Sequence, residues 1–393
     1  MKPYVVTVTS CARADCMSTI RNTFPYVVLT SYPVTMSSTP STPSTPSTIK
    51  VALATPLEHG LRHLVTGAHP SVDLLVDDSL LPPQRFPGDH EGDPAFRRTH
   101  RQQASFERLL SKADVFYGIP DTQPAALAPA VRANPGLRWV HTMAAGGGAQ
   151  VRAAALTPAE LRRVLFTTSA GVHGGPLAEF AIFGILAGAK DLARLQAQQA
   201  ARQWTGRWAM KQVHEQTVLV VGLGGIGREV ARLAKALGAR VLGTKRQPEP
   251  VDGVDEVHPI TALPQLVGRA DAVVFTLPGT PATDGLYGAD LIAATKPGAV
   301  IINVGRGNVI DEESLIDGLQ SGRLGSAFLD VVAVEPLPLE SPLWAMPQVV
   351  IAPHTAALSP HEDRRIAELF ATNLRRFVDG KELLNVVDID HFY

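Results

Sequence analysis

Cysteine is almost absent: Cys11 and Cys16 are the two in 393 residues. Everything after them can hold neither a disulfide framework nor a thiolate zinc site, and offers no thiol nucleophile. Excess charge of one sign is missing too, since 36 Lys+Arg stand against 37 Asp+Glu for a formal net charge of −1. A near-neutral balance removes the electrostatic ground for a nucleic acid, a membrane surface or a polyanion as main partner. No long hydrophobic run occurs; Phe180 to Ala189, with two glycines, is about half the roughly 18 to 20 residues that a bilayer-spanning helix needs. With 45% apolar, 19% charged and 6% aromatic residues, the composition is that of a globular protein. It points to a cytoplasmic location and a small-molecule partner, with no metal.

Acidic residues are nearly absent from residues 1–47, where Asp15 is the single example, and three Ser-Thr-Pro triplets close that stretch at Ser38 to Pro46. Repeated proline and small hydroxylated residues bury too little apolar surface to offset the entropy of ordering, so a disordered extension is expected. Tyr4 to Val8 is too short to be the apolar core of a secretory signal. Residues 1–35 read either as a stretch upstream of a true initiator at Met36 or as an organelle transit peptide, the first being preferred.

From Ile49 onward short apolar runs alternate with helical patterns: Lys50 to Ala54, Val72 to Val76, Asp114 to Gly118, Leu137 to His141 and Val164 to Thr167 as strands, with helices at Pro124 to Ala133 and Pro158 to Arg163. This is β/α alternation around a small parallel sheet. Pro82 to Pro94, rich in proline, glycine and charge, reads as a surface loop. Pro176 to Ala197 predicts one long helix, apolar nearly all round in its first half, which must be covered by the chain's own core or also by a second subunit. A second series of strands follows at Val218 to Val221, Val241 to Thr244, Ala272 to Leu277, Ala299 to Val304, Ala327 to Val332 and Val349 to Ala352, then a helix over Glu362 to Val378.

The second series opens with Thr217-Val-Leu-Val-Val-Gly222-Leu-Gly224-Gly225-Ile226-Gly227, a strand entering Gly-x-Gly-x-x-Gly and then an amphipathic helix. Gly222 permits the tight turn, Gly224 lets backbone approach a pyrophosphate, and Gly227 allows close packing of helix on strand; the helix N-terminus supplies amide donors. In that context the motif predicts a dinucleotide site. Lys245 stands about 20 residues after the first glycine, where an NAD site places an acid on the ribose hydroxyls. A 2′-phosphate would meet Thr244, Lys245 and Arg246 with no carboxylate to repel it, which favours NADP while leaving NAD open.

Three late strands end in Arg306, in Asp330 through Glu335, and in His354, and chemistry in open α/β sheets gathers beyond such carboxyl ends. Together they supply what reduction of a 2-oxo acid requires. A guanidinium binds the carboxylate through two parallel hydrogen bonds; an imidazolium protonates the developing alkoxide, and a nearby carboxylate favours the protonated ring.

These segments resemble the D-isomer-specific 2-hydroxyacid dehydrogenases, of the glyoxylate/hydroxypyruvate reductase kind. The resemblance rests on Gly171-Val-His-Gly174 with Ala178-Glu179, Val220 to Gly227, Leu277-Pro278 with Thr280-Pro281 and Thr283, Asn303-Val304-Gly-Arg306-Gly307, Leu329-Asp330-Val331 through Glu335-Pro336, and Pro353-His354-Thr355. It implies Arg306 as carboxylate anchor, Glu335 as partner of the histidine and His354 as general acid/base. It further implies Asp330 against the nicotinamide amide, backbone amides near Ala145, Gly146 and Gly147 on the substrate carboxylate, and Gly225, Ile226, Leu277, Pro278, Thr283 and Val304 around the cofactor. The implied fold is α/β with two domains: a flavodoxin-like substrate domain over 48–171, completed by 357–393, and a Rossmann-type domain over 172–356, paired as a homodimer through the helix near Pro176. Departures are Met143-Ala-Ala-Gly-Gly-Gly148 in place of a Gly-Val-Asp loop, Lys245, and His214-Glu-Gln216 before the nucleotide strand. His173 reads as a residue at the entry to the long helix, with direct substrate contact as the alternative. Rival functions are phosphite or formate oxidation, the latter opposed by Glu335, and a cofactor-sensing, corepressor-like binding protein.

Overall fold

The computed structural model describes residues 48–392, so the expectations for residues 1–47 lie outside the described residues. Among the described residues twelve strands form two sheets. The first comprises β1 (Ile49–Leu53), β2 (Val72–Leu75), β3 (Val115–Tyr117), β4 (Trp139–His141) and β5 (Leu165–Thr167), in the order β2-β1-β3-β4-β5. The second comprises β6 (Thr217–Val221), β7 (Arg240–Thr244), β8 (Glu256–His258), β9 (Ala272–Phe275), β10 (Ala299–Asn303), β11 (Leu324–Leu329) and β12 (Val349–Ile351), in the order β12-β11-β10-β9-β6-β7-β8. Neighbouring strands run parallel in both. Strands β9 and β10 are buried at every residue, which is why they read as apolar runs, β10 up to its final Asn303. In the second sheet the order reverses between β6 and β9, so a crevice opens beyond their carboxyl ends.

The chain returns to the first sheet at its end. Helix Glu362–Val378 turns Ile366, Phe370 and Leu374, spaced by four, into the same core as β1, β3 and β4. Phe370 stacks on Trp139 at 4.8 Å and meets Tyr117 edge-on at 5.0 Å. Val386 then bridges back to Thr167.

Three expectations change. The helix expected over Pro176 to Ala197 is two, Gly174–Ala189 and Leu192–Ala200, broken where Asp191 takes φ +56°, a conformation that a short polar side chain tolerates. Strand β8 was not foreseen, because Glu-Val-His offers a single apolar residue and lies half-buried at a sheet edge. Strand β11 starts at Leu324 and ends at Leu329, so Asp330 to Glu335 lie in the loop beyond it rather than continuing the strand to Val332. No helix among the described residues is long and apolar enough to cross a membrane.

His141, the last residue of β4, is fully buried beside β5, and a proton inventory fixes its state. Trp139 Nε1 donates to Thr167 Oγ1 (2.8 Å), whose hydroxyl faces His141 Nδ1 (2.8 Å); His141 Nε2 faces Ser169 Oγ (3.1 Å), which itself donates to the Thr142 carbonyl (3.0 Å). Thr167 then gives its proton to Nδ1, and Nε2 carries the ring's one proton. Burial, aided by His90, lowers the His141 pKa from 6.5 to about 3. The unfolded chain binds a proton that the folded chain refuses, so stability falls as pH drops from 6.5 towards 3, by about 1.4 kcal/mol per pH unit from this group. Urea unfolding midpoints of wild type and His141→Gln across pH 4 to 7.5 check this: the variant has the flatter dependence, and equal slopes refute the assignment.

Candidate active site

The glycine turn after β6 is held by three bonds. Gly222 N donates to Thr244 Oγ1 (3.1 Å), Thr276 Oγ1 donates to the Gly222 carbonyl (2.5 Å), and Leu223 N donates to the Thr244 carbonyl (2.9 Å). Gly222 sits at φ +105°, which side chains rarely adopt, and a Cβ on Gly227 would lie 1.9 Å from the Gly222 carbonyl oxygen. Helix Gly225–Ala236 begins there with no side-chain cap, and nothing stands within 4 Å of where a Cβ on Gly224 or Gly225 would be. The helix thus presents uncapped amides to an open cradle, which fits a pyrophosphate.

Arg306 is presented by a turn that Asn303 builds: its Oδ1 accepts from Gly305 N and its Nδ2 donates to the Arg306 carbonyl, both at 3.0 Å. Arg306 Nη1 donates to the Gly305 carbonyl (2.7 Å). Glu335 Oε2 lies 2.8 Å from His354 Nδ1; a carboxylate there can only accept, which puts a proton on Nδ1 and turns Nε2 to the opposite edge of the ring. His354 takes φ +53°, an uncommon conformation for a non-glycine residue, and its amide donates to the Asp330 carbonyl (2.9 Å). Asp330 is buried, and its Oδ1 accepts from the amides of Thr355 (2.9 Å) and Ala356 (2.8 Å). Burial pushes its carboxyl upward, against the downward pull of those amides and His354.

A cavity of about 480 Å³ joins these groups. Arg306, His354, Asp330, Val304 and Ile226 line it from the seven-stranded side; Met143, Ala145 and Gly146 line it from the other. A Cβ on Gly146 would stand 2.6 Å from Arg306 Nη2, so the loop backbone and the guanidinium nearly touch.

A sequence profile described as D-isomer specific 2-hydroxyacid dehydrogenase, NAD binding domain, matches residues 182–356. Glyoxylate/hydroxypyruvate reductase B of Escherichia fergusonii is 34% identical over 233 residues, 58% of this chain and 72% of that protein. A D-isomer specific 2-hydroxyacid dehydrogenase from Xanthobacter autotrophicus, solved in complex with NADPH and MES, is 30% identical with a TM-score of 0.69, covering 88% of this chain and all of that one. The chain belongs to the D-isomer specific 2-hydroxyacid dehydrogenases. It is an NAD(P)-dependent oxidoreductase of that family. D-3-phosphoglycerate dehydrogenase of Mycobacterium leprae is 33% identical over 228 residues, but this dehydrogenase spans 43% of its length and the match covers 58% of the present chain.

Several expected contacts are placed differently in this dehydrogenase. Thr244 is buried and its hydroxyl accepts from Gly222, so it braces the glycine turn instead of facing a 2′-phosphate. Lys245 reaches Glu249 at 3.0 Å, which already meets its charge. Gly147 is buried and its amide is given to the Ala144 carbonyl (3.2 Å), leaving Ala145 and Gly146 as the loop residues on the cavity. The Thr283 hydroxyl donates within its own turn, to the carbonyl of Pro278 (2.7 Å) or of Thr280 (3.1 Å), while Leu277 packs beneath Gly222.

The cavity wall built by 85–91 was read as surface loop. It is pinned to the first residues of the last helix: Gln84 Nε2 and Gly88 N donate to Asp363 Oδ2 at 2.9 and 3.2 Å. His173, expected at the helix entry, stands there with its Nε2 3.0 Å from Glu362 Oε1. Burial would raise the Glu362 carboxyl, but the imidazoles of His173 and His90 outweigh it and hold the group below its ordinary value. Charge in a Pro/Gly-rich segment was the one available signal, and it reads equally well as a solvated turn.

Proposed function

We propose that this enzyme interconverts a small D-2-hydroxy acid and its 2-oxo acid, with Arg306 as the anchor, His354 as general acid/base and Glu335 as its orienting partner. The observation that carries this is the 2.8 Å Glu335–His354 contact on a cavity that also receives Arg306. Arg306 pairs with the substrate carboxylate through parallel N–H donors, joined by the amides of Ala145 and Gly146. That fixes C2 and its oxygen towards His354, whose Nε2 gives the oxygen a proton in reduction and takes it back in oxidation. Glu335 accepts from Nδ1 and so keeps the ring aligned. A bound nicotinamide supplies or receives the hydride at C2.

Cofactor contacts fall to Gly222, Gly224, Gly225, Ile226 and Gly227 on the pyrophosphate side, Lys245 and Arg246 on the ribose side, and Leu277, Pro278, Thr283, Val304 and Asp330 towards the nicotinamide. NADP is the preferred form, because Lys245 and Arg246 follow β7 directly and no acid stands there; Glu249 tempers that preference. Residues 48–171 with 357–393 form the acid-binding domain and 172–356 the nucleotide domain. The enzyme is a homodimer through helix Gly174–Ala189, which leaves Phe183 and Leu186 exposed while its other apolar side chains are buried or half-buried.

Initial rates of NADPH and NADH loss with glyoxylate, hydroxypyruvate, pyruvate, 2-oxoisocaproate and phenylpyruvate test the proposal. Turnover with a 2-oxo acid is expected; binding of both cofactors with no turnover would favour a sensing protein. Lys245→Asp is expected to shift the NADPH/NADH ratio of kcat/KM towards NADH by about tenfold or more. An unchanged ratio would show that Lys245 does not set the cofactor preference.

A further inference from the structure

Resting on the reading above, one further property of the cavity concerns the charge of the substrate beyond C2. Two arginines line it, Arg306 and Arg85, and no lysine does. Arg306 is taken by the substrate carboxylate. The charge of Arg85 is already met, although its Nη1 lies outside the fork: its Nε and Nη2 hold Asp89 at 2.7 and 2.9 Å, Asp89 is buried and also accepts from the amides of Arg85 and Gly92 at 3.0 Å each, and Glu91 and Asp93 add further negative charge beside it.

The remaining protonatable groups on that wall also face carboxylates. His173 Nε2 meets Glu362 Oε1 at 3.0 Å, and the two ring nitrogens of His90 lie 3.7 Å from Glu362 and 3.6 Å from Asp363. Glu362 Oε2 and Asp363 Oδ1 are buried with no hydrogen-bond partner, as are both ring nitrogens of His90 and Nδ1 of His173, so the carboxylates of this wall are only partly met by the imidazoles beside them. A phosphate entering there would meet these carboxylates and Glu91, and would reach Arg85 only at Nη1, on a guanidinium whose charge Asp89 already meets. Like charges brought together in a partly desolvated site cost several kcal/mol.

We infer that this enzyme selects 2-oxo acids bearing a single negative charge, and that the wall formed by Arg85–Asp89, Glu91, His90 and Glu362 excludes substrates with a second anionic group while admitting uncharged ones. The site therefore suits a hydroxylated or alkyl 2-oxo acid and rejects the phosphate ester of the same skeleton.

The test compares kcat/KM of the full chain for hydroxypyruvate, for 3-phosphohydroxypyruvate and for 2-oxoisocaproate, a bulky uncharged control. The phosphate ester should be used at least about 100-fold less efficiently than hydroxypyruvate, and less well than 2-oxoisocaproate. Parity between ester and hydroxypyruvate overturns the inference and leaves the proposed reaction standing. Equal rejection of the ester and 2-oxoisocaproate overturns it in favour of exclusion by size. Failure of every 2-oxo acid in the panel overturns the proposed reaction and this inference with it. Glu91→Lys, a change at an exposed residue, should raise the ester/hydroxypyruvate ratio by about tenfold, and Glu362→Gln, which keeps an acceptor for His173, should move it the same way. A Glu91→Lys ratio equal to wild type refutes the role of the wall even if the buried variant does not fold.

Discussion

Replacing His354 with asparagine or alanine is expected to lower kcat by about 10³-fold at saturating cofactor, while the cofactor dissociation constant stays within about twofold of wild type. Loss of the imidazole removes the one group on the cavity that Glu335 aligns to exchange a proton. The cofactor cradle is unaffected, because its turn is braced by Thr244 and Thr276 and does not touch the histidine. Asparagine is the cleaner variant, since residue 354 sits at φ +53° and short polar side chains tolerate that conformation better than alanine. Steady-state rates with a 2-oxo acid, together with NADPH fluorescence titration, check both halves. Wild-type turnover would remove His354 from the acid/base role; a joint loss of turnover and cofactor binding would point to collapse of the loop that Asp330 holds through Thr355 and Ala356.

Arg306→Lys is expected to cut kcat/KM for the 2-oxo acid by about 100-fold, with the larger part in KM. Lysine keeps the charge but cannot make two parallel bonds to a carboxylate. The position leaves little room for compensation: Asn303 holds the backbone of the turn, and Gly146 approaches the guanidinium so closely that a methyl group there would collide with it. Unchanged kcat/KM would assign the carboxylate to another group. A loss confined to kcat would instead place Arg306 on the developing charge at the C2 oxygen.

Much of the fold was legible because its strands advertise themselves. Strands buried on both faces must be continuously apolar, and β6, β9 and β10 announced themselves in that way. The last helix did so through apolar residues spaced by four. Strand β8 did not, because an edge strand needs only one apolar side chain. The break at Asp191 did not either, since helical periodicity continues across it and the left-handed residue that ends the first helix is not a glycine.

The candidate site divides along similar lines. Arg306, Glu335 and His354 could be nominated because each follows a recognisable strand, and the parallel topology brings carboxyl ends of strands together wherever they fall in sequence. Thr244 and Gly147 were nominated by position and are occupied otherwise: a hydroxyl or an amide one residue from a motif can face the turn it supports instead of the ligand, and only hydrogen-bond partners distinguish the two.

The sequence by itself determined the reaction class and the dinucleotide turn, because both depend on residue types at short, ordered spacings that local backbone geometry enforces. Tertiary structure decided the far wall of the cavity. His173 is brought to Glu362 across 189 residues of chain, with His90 beside them, and the charge of Arg85 is met by a neighbour four residues away. Whether a charge is available to a substrate or already spent on a partner is a property of packing, and no spacing in the chain encodes it.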